Sequence, residues 1–184
     1  MTRLAIVAVL CVSGLVWCPR DLQAAQVMAP EEAARGVLRR VIPEVADVFV
    51  LETIPQADGH DVFEVESADG KIVVRGSSGV AIASGVNWYL KYVCHCHVSF
   101  NGDQLNIPQP LPVVTEKIRR VSPYQYRYCF NFCAFSYTLA WWDWDQWQRM
   151  IDWMALHGIN MPLAVTGQEA VWRNVYRQLG LTDD

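Results

Sequence analysis

The chain has 184 residues, 52% hydrophobic and 18% charged, with a formal net charge of −4. Such a composition fits an ordinary globular chain, one domain or one small domain with part of another, and argues against disorder. Charges of both signs are interspersed, with no basic run or stripe, so nucleic acid is excluded as a partner on electrostatic grounds.

Arg3 precedes the apolar run Leu4–Trp17, and small residues follow at Ala24-Ala25. A charged start, an apolar run too short to span a bilayer and a small-residue cleavage site describe a signal peptide over residues 1–25. The mature protein is therefore expected to be secreted or periplasmic, with no stable membrane span. A lipid anchor on Cys18 is disfavoured by the bulky Val16-Trp17 before it. Cys94, Cys96, Cys129 and Cys133 lie beyond the cleavage site, and export permits disulfides. In the string CHCH (Cys94–His97) a single residue separates the cysteines, which is too tight for a zinc-ligand pair. Burial or a cross-bridge is expected there, and no metal or other cofactor.

Pro30-Glu31-Glu32 opens a helix over Ala33–Val41, with Arg39-Arg40 complementing the dipole at its end and Pro43 closing it. Asp47–Ile54 is β-branched and extended. Asp61–Gly76 alternates on both sides of Asp69-Gly70, the strongest short-range hairpin signal. Ser77 is expected to cap a helix over Gly79–Tyr92, whose apolar face is Val80, Ala83, Val86, Leu90 and Val93. Short strands are expected at His97–Phe100 and Leu105–Ile107. The first half thus reads as a small α+β domain over residues 27–115, a mostly antiparallel sheet with helices on one face. A proline-rich linker, Pro108–Pro123, follows.

The rhythm then changes. Tyr124–Phe132 reads as an aromatic strand, and Asp143 with Gln146 forms a capping box for a helix ending at Gly158. Trp144, Trp147, Ile151 and Met154 make its stripe. Residues 159–165 give the next strand, with Pro162 near its start or at an irregularity, and Gln168-Glu169 opens a last helix. Strand, helix, strand, helix is the rhythm of a parallel sheet. The fold class expected is α/β: the small α+β domain, then over residues 122–184 the first two βα units of an incomplete (β/α)8 TIM barrel, which needs eight units and about 250 residues.

Barrel chemistry sits at the C-terminal ends of strands. There the sequence offers Asn131 and Cys133, with Ser136 and Tyr137 beyond, and then Thr166, Gln168 and Glu169. Asn131 can both donate to and accept from a sugar hydroxyl or an amide, and Trp141 and Trp142 could stack on a sugar ring or simply pack. Trp147 and Trp153 read as packing residues. Glycoside hydrolysis requires two carboxylates. Asp143 reads as a cap, Asp145 and Asp152 as helix surface, and Glu169 as a helix start, so no catalytic residue is assigned. None of the histidines is placed beside a nucleophile by a motif.

The strings VRGSSGVAIASGVNWYLKYVCHCHVS (Val74–Ser99), YRYCFNFCAFSYTLAWWDWDQW (Tyr126–Trp147) and IDWMALHGINMPLAVTGQEAVWRNVY (Ile151–Tyr176) resemble the α-N-acetylglucosaminidase family of glycoside hydrolases, family 89. The resemblance implies a small N-terminal domain, a (β/α)8 barrel and a helical C-terminal domain. It also implies release of terminal α-linked N-acetylglucosamine from glycans with retention, by two glutamates on later barrel strands and without metal. Animal members are lysosomal. Asn131 and Cys133 match positions lining the sugar pocket, whereas Phe130, Phe132 and Phe135 depart from the animal pattern. On this reading the chain is an N-terminal portion that is inactive alone. The competing reading is a non-catalytic carbohydrate-binding or scaffold protein that keeps only the front domain.

Overall fold

The computed structural model describes residues 28–164 and 167–182. The signal-peptide segment, Thr166, Asp183 and Asp184 lie outside the described residues. Helix α1 (Pro30–Val41) starts on proline, carries Glu31 and Glu32 in its first turn and Arg39 and Arg40 in its last, and buries Ala34, Val37 and Leu38. Arg35 on this helix donates to the carbonyls of Ala46 and, at 2.7 Å, Phe49. These bonds fix the 3₁₀ turn Ala46–Val48 and the entry to strand β1 (Phe49–Thr53).

Strands β2 (Val62–Ala68) and β3 (Lys71–Gly76) form the expected hairpin, with Ala68 paired to Lys71. Asp69 and Gly70 sit at φ +50° and +73°, the paired left-handed conformations of a two-residue turn whose twist matches that of the strands. β1 runs parallel to β3. Across the sheet Arg75 pairs with Glu52 at 2.6 Å and also with Glu66, tying three strands together. Helix α2 (Gly79–Tyr92) covers one face of this sheet. Ile82, Val86, Tyr89 and Leu90 interleave there with Phe49, Val65 and Val74 in the core.

Three expectations are corrected in this half. The α2 cap is Ser78, whose side chain accepts from the Ala81 amide; Ser77 is occupied elsewhere, accepting from Val62 and donating to Asp61. Strand β4 is confined to His97–Val98 and pairs with β5 at Asp103–Gln104, so Leu105–Ile107 is not a strand. Its side chains pack on the core instead. The segment read as linker contains β6 (Ile118–Val121), the antiparallel neighbour of β2, which completes a four-stranded sheet in the order β1-β3-β2-β6. Glu64 holds this edge, pairing with Lys117 at 2.6 Å and with Arg119. A strand of Ile-Arg-Arg-Val with one inward residue lacks the apolar alternation that marks a strand in sequence.

Beyond the sheet, β7 (Tyr128–Cys129), α3 (Trp144–Leu156) and β8 (Met161–Pro162) form one parallel βαβ unit, and α4 (Gln168–Gln178) follows with its residues exposed. The capping box of Asp143 and Gln146 is formed. Both strands are much shorter than expected. Before Tyr128, Arg127 O accepts from Asn160 N and Met161 N, both at 3.2 Å, and the Asn160 side chain adds to the ladder: its Oδ1 accepts from Arg127 N at 2.8 Å, and its Nδ2 donates to Gln125 O at 2.9 Å. After Cys129, Phe130 turns to φ +73° and the extended run ends. Pro162 has no N–H, so pairing continues only through Leu163 N to Cys129 O at 3.0 Å.

Gly76 and Gly36 give opposite predictions. A Cβ on Gly76 would lie 2.5 Å from Ile82 N and 2.8 Å from Ala81 C, backbone atoms of the first turn of α2. Gly36, in the middle of α1, meets only Arg40 Nη1 at 3.4 Å, an ordinary contact distance. Gly76→Ala should therefore cost about 1–3 kcal/mol, whereas Gly36→Ala should stabilise by about 0.4–1 kcal/mol. Urea midpoints of the two variants should move in opposite directions.

Candidate functional site

The site begins where the front sheet meets the βαβ unit. Three arginine–aspartate pairs cross this seam. Arg40 on α1 holds the buried Asp152 with two bonds, at 2.7 and 2.6 Å, so Asp152 is not the surface residue expected from sequence. Arg149 on α3 grips Asp103 at 2.8 and 3.1 Å and donates to Ser99 O at 3.0 Å. Arg127, immediately before β7, pairs with Asp61 at the start of β2.

Arg127 also donates to Gly158 O and, at 2.9 Å, to Tyr124 O. One guanidinium thus joins the sheet, the entry to β7 and the end of α3. Gly158, at φ +75°, is needed here: a Cβ would lie 3.1 Å from Ser84 Oγ on α2. Burial alone would raise the Asp61 carboxyl, but hydrogen bonds from Ser77, Arg127 and Ser78 and the arginine's charge outweigh it and hold the group below its ordinary value. The Asp103 carboxyl is likewise held down, chiefly by the Arg149 hydrogen bond.

With the entry to β7 fixed, the chain beyond Cys129 is fixed too. Phe130 takes the left-handed backbone that non-glycine residues avoid. Its ring packs edge-on against Phe135 at 5.8 Å and Trp147 at 6.2 Å. Asn131 then caps the 3₁₀ turn Phe132–Ser136, its Oδ1 accepting from Ala134 N at 3.1 Å. This leaves the Asn131 amide donors with no hydrogen bond to a described residue. Cys133 on the same turn is an exposed free thiol, while burial pushes the half-buried Cys129 thiol up. Asn131, Cys133, Ser136 and Tyr137 are therefore gathered on one exposed turn at the end of β7.

The aromatic run divides between two roles. Trp147 packs at 5.5 Å on Trp142 and at 6.0 Å on Phe135. Trp153 stacks on His157 at 4.3 Å. Trp141 is 93% exposed, Tyr137 77% and Phe132 75%, which puts these three rings outside any described core. Between α3 and the two strands lies a hollow of about 360 Å³ lined by Phe130, Phe135, Trp147, Ile151, Met154 and Leu163. Its walls are apolar, so it can pack carbon but cannot orient a polar ligand.

The other candidates do not join the turn. Gln168 and Glu169 begin α4 and are exposed. Asp143 is engaged as a cap and Asp152 as an ion-pair partner. Cys94 and Cys96 are buried in the front core, where burial pushes both thiols up. Among the described residues no group of three or more His, Cys, Asp or Glu could hold a metal ion. No described helix is long and apolar enough to cross a membrane. Sequence reasoning missed Arg127 and Asp61: they are 66 positions apart, and no spacing rule connects such partners.

Residues 32–113 match the family model described as the alpha-N-acetylglucosaminidase (NAGLU) N-terminal domain, and residues 127–184 match the tim-barrel domain of the same family. The β7–α3–β8 unit and α4 are thus the beginning of a barrel. Human alpha-N-acetylglucosaminidase is 53% identical over 112 residues, which are 61% of this chain and 15% of that protein. The family 89 glycoside hydrolase from Clostridium perfringens, solved in complex with PUGNAc, superposes with a TM-score of 0.78 at 39% identity, over 84% of this chain and 18% of that one. A variant of the Clostridium perfringens protein with two glutamates changed to glutamine, in complex with its substrate GlcNAc-alpha-1,4-galactose, matches with the same TM-score of 0.78 and the same coverage. The chain therefore spans less than a fifth of the length of these relatives.

Removing Arg127 should detach the β7 turn. Arg127→Met leaves Asp61 nearly buried without its cation, a loss of about 3–5 kcal/mol. Trypsin or chymotrypsin should then cut within 122–164 before the front sheet. In the unaltered chain Asp61 and Asp103 titrate below their unfolded value of about 3.9. Their contribution is therefore complete above that pH and is lost as pH falls through the folded values. Burial also lowers the His157 imidazole at the end of α3, so protection of 122–164 should begin to weaken as pH falls below about 6.5, where the unfolded chain takes up that proton first, and should fail below about 4 as Asp61 and Asp103 are protonated.

Proposed function

We propose that this chain, which belongs to the alpha-N-acetylglucosaminidase family and carries its N-terminal domain and the start of its barrel, supplies one wall of the sugar site of a secreted, retaining exo-α-N-acetylglucosaminidase. The observation that carries the reading is the β7 turn. Asn131 is oriented by its own capping bond, so its amide donors are presented in a fixed direction. Such a pre-oriented donor suits a hydroxyl or the acetamido carbonyl of a terminal N-acetylglucosamine. Cys133 adds a small, polarisable contact on the same turn.

The carboxylates come from elsewhere. Hydrolysis with retention needs a nucleophile and an acid–base about 5–5.5 Å apart across the scissile bond. The described carboxylates of the barrel segment are taken up as a cap, as an ion-pair partner or in an exposed first turn. In the matched Clostridium perfringens complex two glutamates had been changed to glutamine and the substrate was present. That supports a division of labour in which two glutamates outside this chain act on the anomeric carbon while the β7 turn holds the sugar. The terminal α-linked N-acetylglucosamine of a glycan is the proposed substrate.

Two outcomes test this. The purified chain should not release the chromophore from an α-N-acetylglucosaminide above buffer. In the complete enzyme Asn131→Ala should weaken transition-state binding by about 1–3 kcal/mol, lowering kcat/KM roughly five- to a hundred-and-fifty-fold. An unchanged kcat/KM with a lowered Tm would show that the Asn131 bond serves only the turn.

A further inference from the structure

A second surface of the molecule has the make-up of a carbohydrate site and lies on the seam, away from the β7 turn. A hollow of about 200 Å³ is lined by Ser99, Phe100, Trp142, Gln146, Arg149 and Trp153. It shares Arg149 and Trp153 with a neighbouring hollow of about 360 Å³, whose polar lining includes Arg40, Asp103, Asp145, Gln148 and Asp152. Phe100 is 45% exposed, with Trp142 at 6.1 Å and Trp153 at 6.3 Å, and the planes of the Phe100 and Trp153 rings are nearly perpendicular. Rings of this kind offer faces to the C–H side of a pyranose.

The charges define the ligand further. Each seam arginine is matched by an aspartate, Arg149 by Asp103 and Arg40 by Asp152. With no surplus cation, the groove has no basis for holding a sulfate, phosphate or carboxylate. Its lining also carries the amide side chains of Gln146 and Gln148. Gln146 is the clearest: its Oε1 accepts from Asp143 N at 3.0 Å in the capping box, which fixes the side chain and leaves its Nε2 donors with no hydrogen bond to a described residue. We propose that this seam groove is a non-catalytic binding site for a neutral saccharide, with Phe100 and Trp142 against the ring and Gln146 donating to a hydroxyl or acetamido oxygen. Only the ligand class rests on the function proposed above. The groove shares no lining residue with the β7 turn.

The experiment is a titration of the chain labelled with ¹⁵N-tryptophan, using N-acetylglucosamine and GlcNAc-alpha-1,4-galactose as probes. The indole signals of Trp142 and Trp153 should shift saturably, with half-saturation on the order of 1 mM for a ligand of this size. Gln146→Glu keeps an acceptor for the capping box but removes the amide donor. It should weaken binding tenfold or more with little change in Tm. Trp141→Phe, outside the groove, and Asn131→Ala should leave the titration unchanged. The inference is overturned by the absence of a saturable shift, by an undiminished shift in Gln146→Glu, or by loss of the shift in Asn131→Ala. Shifts that follow protein concentration and not sugar would assign the groove to contact between copies and overturn it too. The two readings fail separately. Turnover by the complete enzyme with a silent groove removes this one alone, and a responsive groove without turnover removes only the other.

Discussion

Arg127 is the constraint on which the rest of the site depends. Its guanidinium lies between three elements: the start of β2 through Asp61, the end of α3 through the Gly158 carbonyl, and the entry to β7 through Tyr124. Two-residue strands supply few ladder bonds, and the β7–β8 pair has no third strand beside it among the described residues. Side chains therefore add to the few backbone bonds of this pair. A planar cation with five donors is suited to that task, since one group can satisfy a carboxylate and several carbonyls at once. Both partners of the Arg127–Asp61 pair are largely shielded from water, so neither can be lost without stranding the other.

The consequence passes along the chain to the proposed site. With Arg127 fixed, Cys129 is held by Leu163, and Phe130 must turn sharply to bring its ring against Trp147. The left-handed backbone of a phenylalanine is a cost of order 1–3 kcal/mol that the surrounding packing has to offset. The aromatic cluster around Trp147 offsets it and, in doing so, aims Asn131 away from the core. Packing and presentation are therefore one arrangement: the tryptophans hold the turn, and the turn shows its polar groups. The seam's other arginines set up its second surface, where each is matched by an aspartate and no cation is left in surplus.

Much of the front layer was legible in the sequence because its signals are local. Pro30 and the Arg39-Arg40 pair bracket α1, Asp69-Gly70 marks the hairpin turn, and the Asp143–Gln146 box starts α3. Each feature lies within a few residues of its effect. What escaped notice is long-range. β6 is a strand because Glu64 draws Lys117 and Arg119 onto the edge of β2, not because its own pattern alternates. Asp152 looked like a surface residue until α1 brought Arg40 to it. Asn131 and Cys133 were expected at the end of a strand running to Phe132, whereas the strand ends at Cys129 and both lie on the turn that follows. The strain at Phe130 and the clamp at Arg127 were not legible: Phe130 turns to pack on Phe135 and Trp147, which no local motif announces, and the partner of Arg127 lies 66 positions away.

The claim that one buried ion pair holds the β7 turn to the front sheet is tested most directly by a double-mutant cycle on Asp61→Asn and Arg127→Met, followed by urea unfolding of the βαβ unit. The account predicts strong coupling, with the double variant less destabilised than the sum of the singles by about 1.5–3 kcal/mol. Additivity within about 0.5 kcal/mol would contradict it, because the two side chains would then stabilise the protein independently and the seam would be held by packing alone.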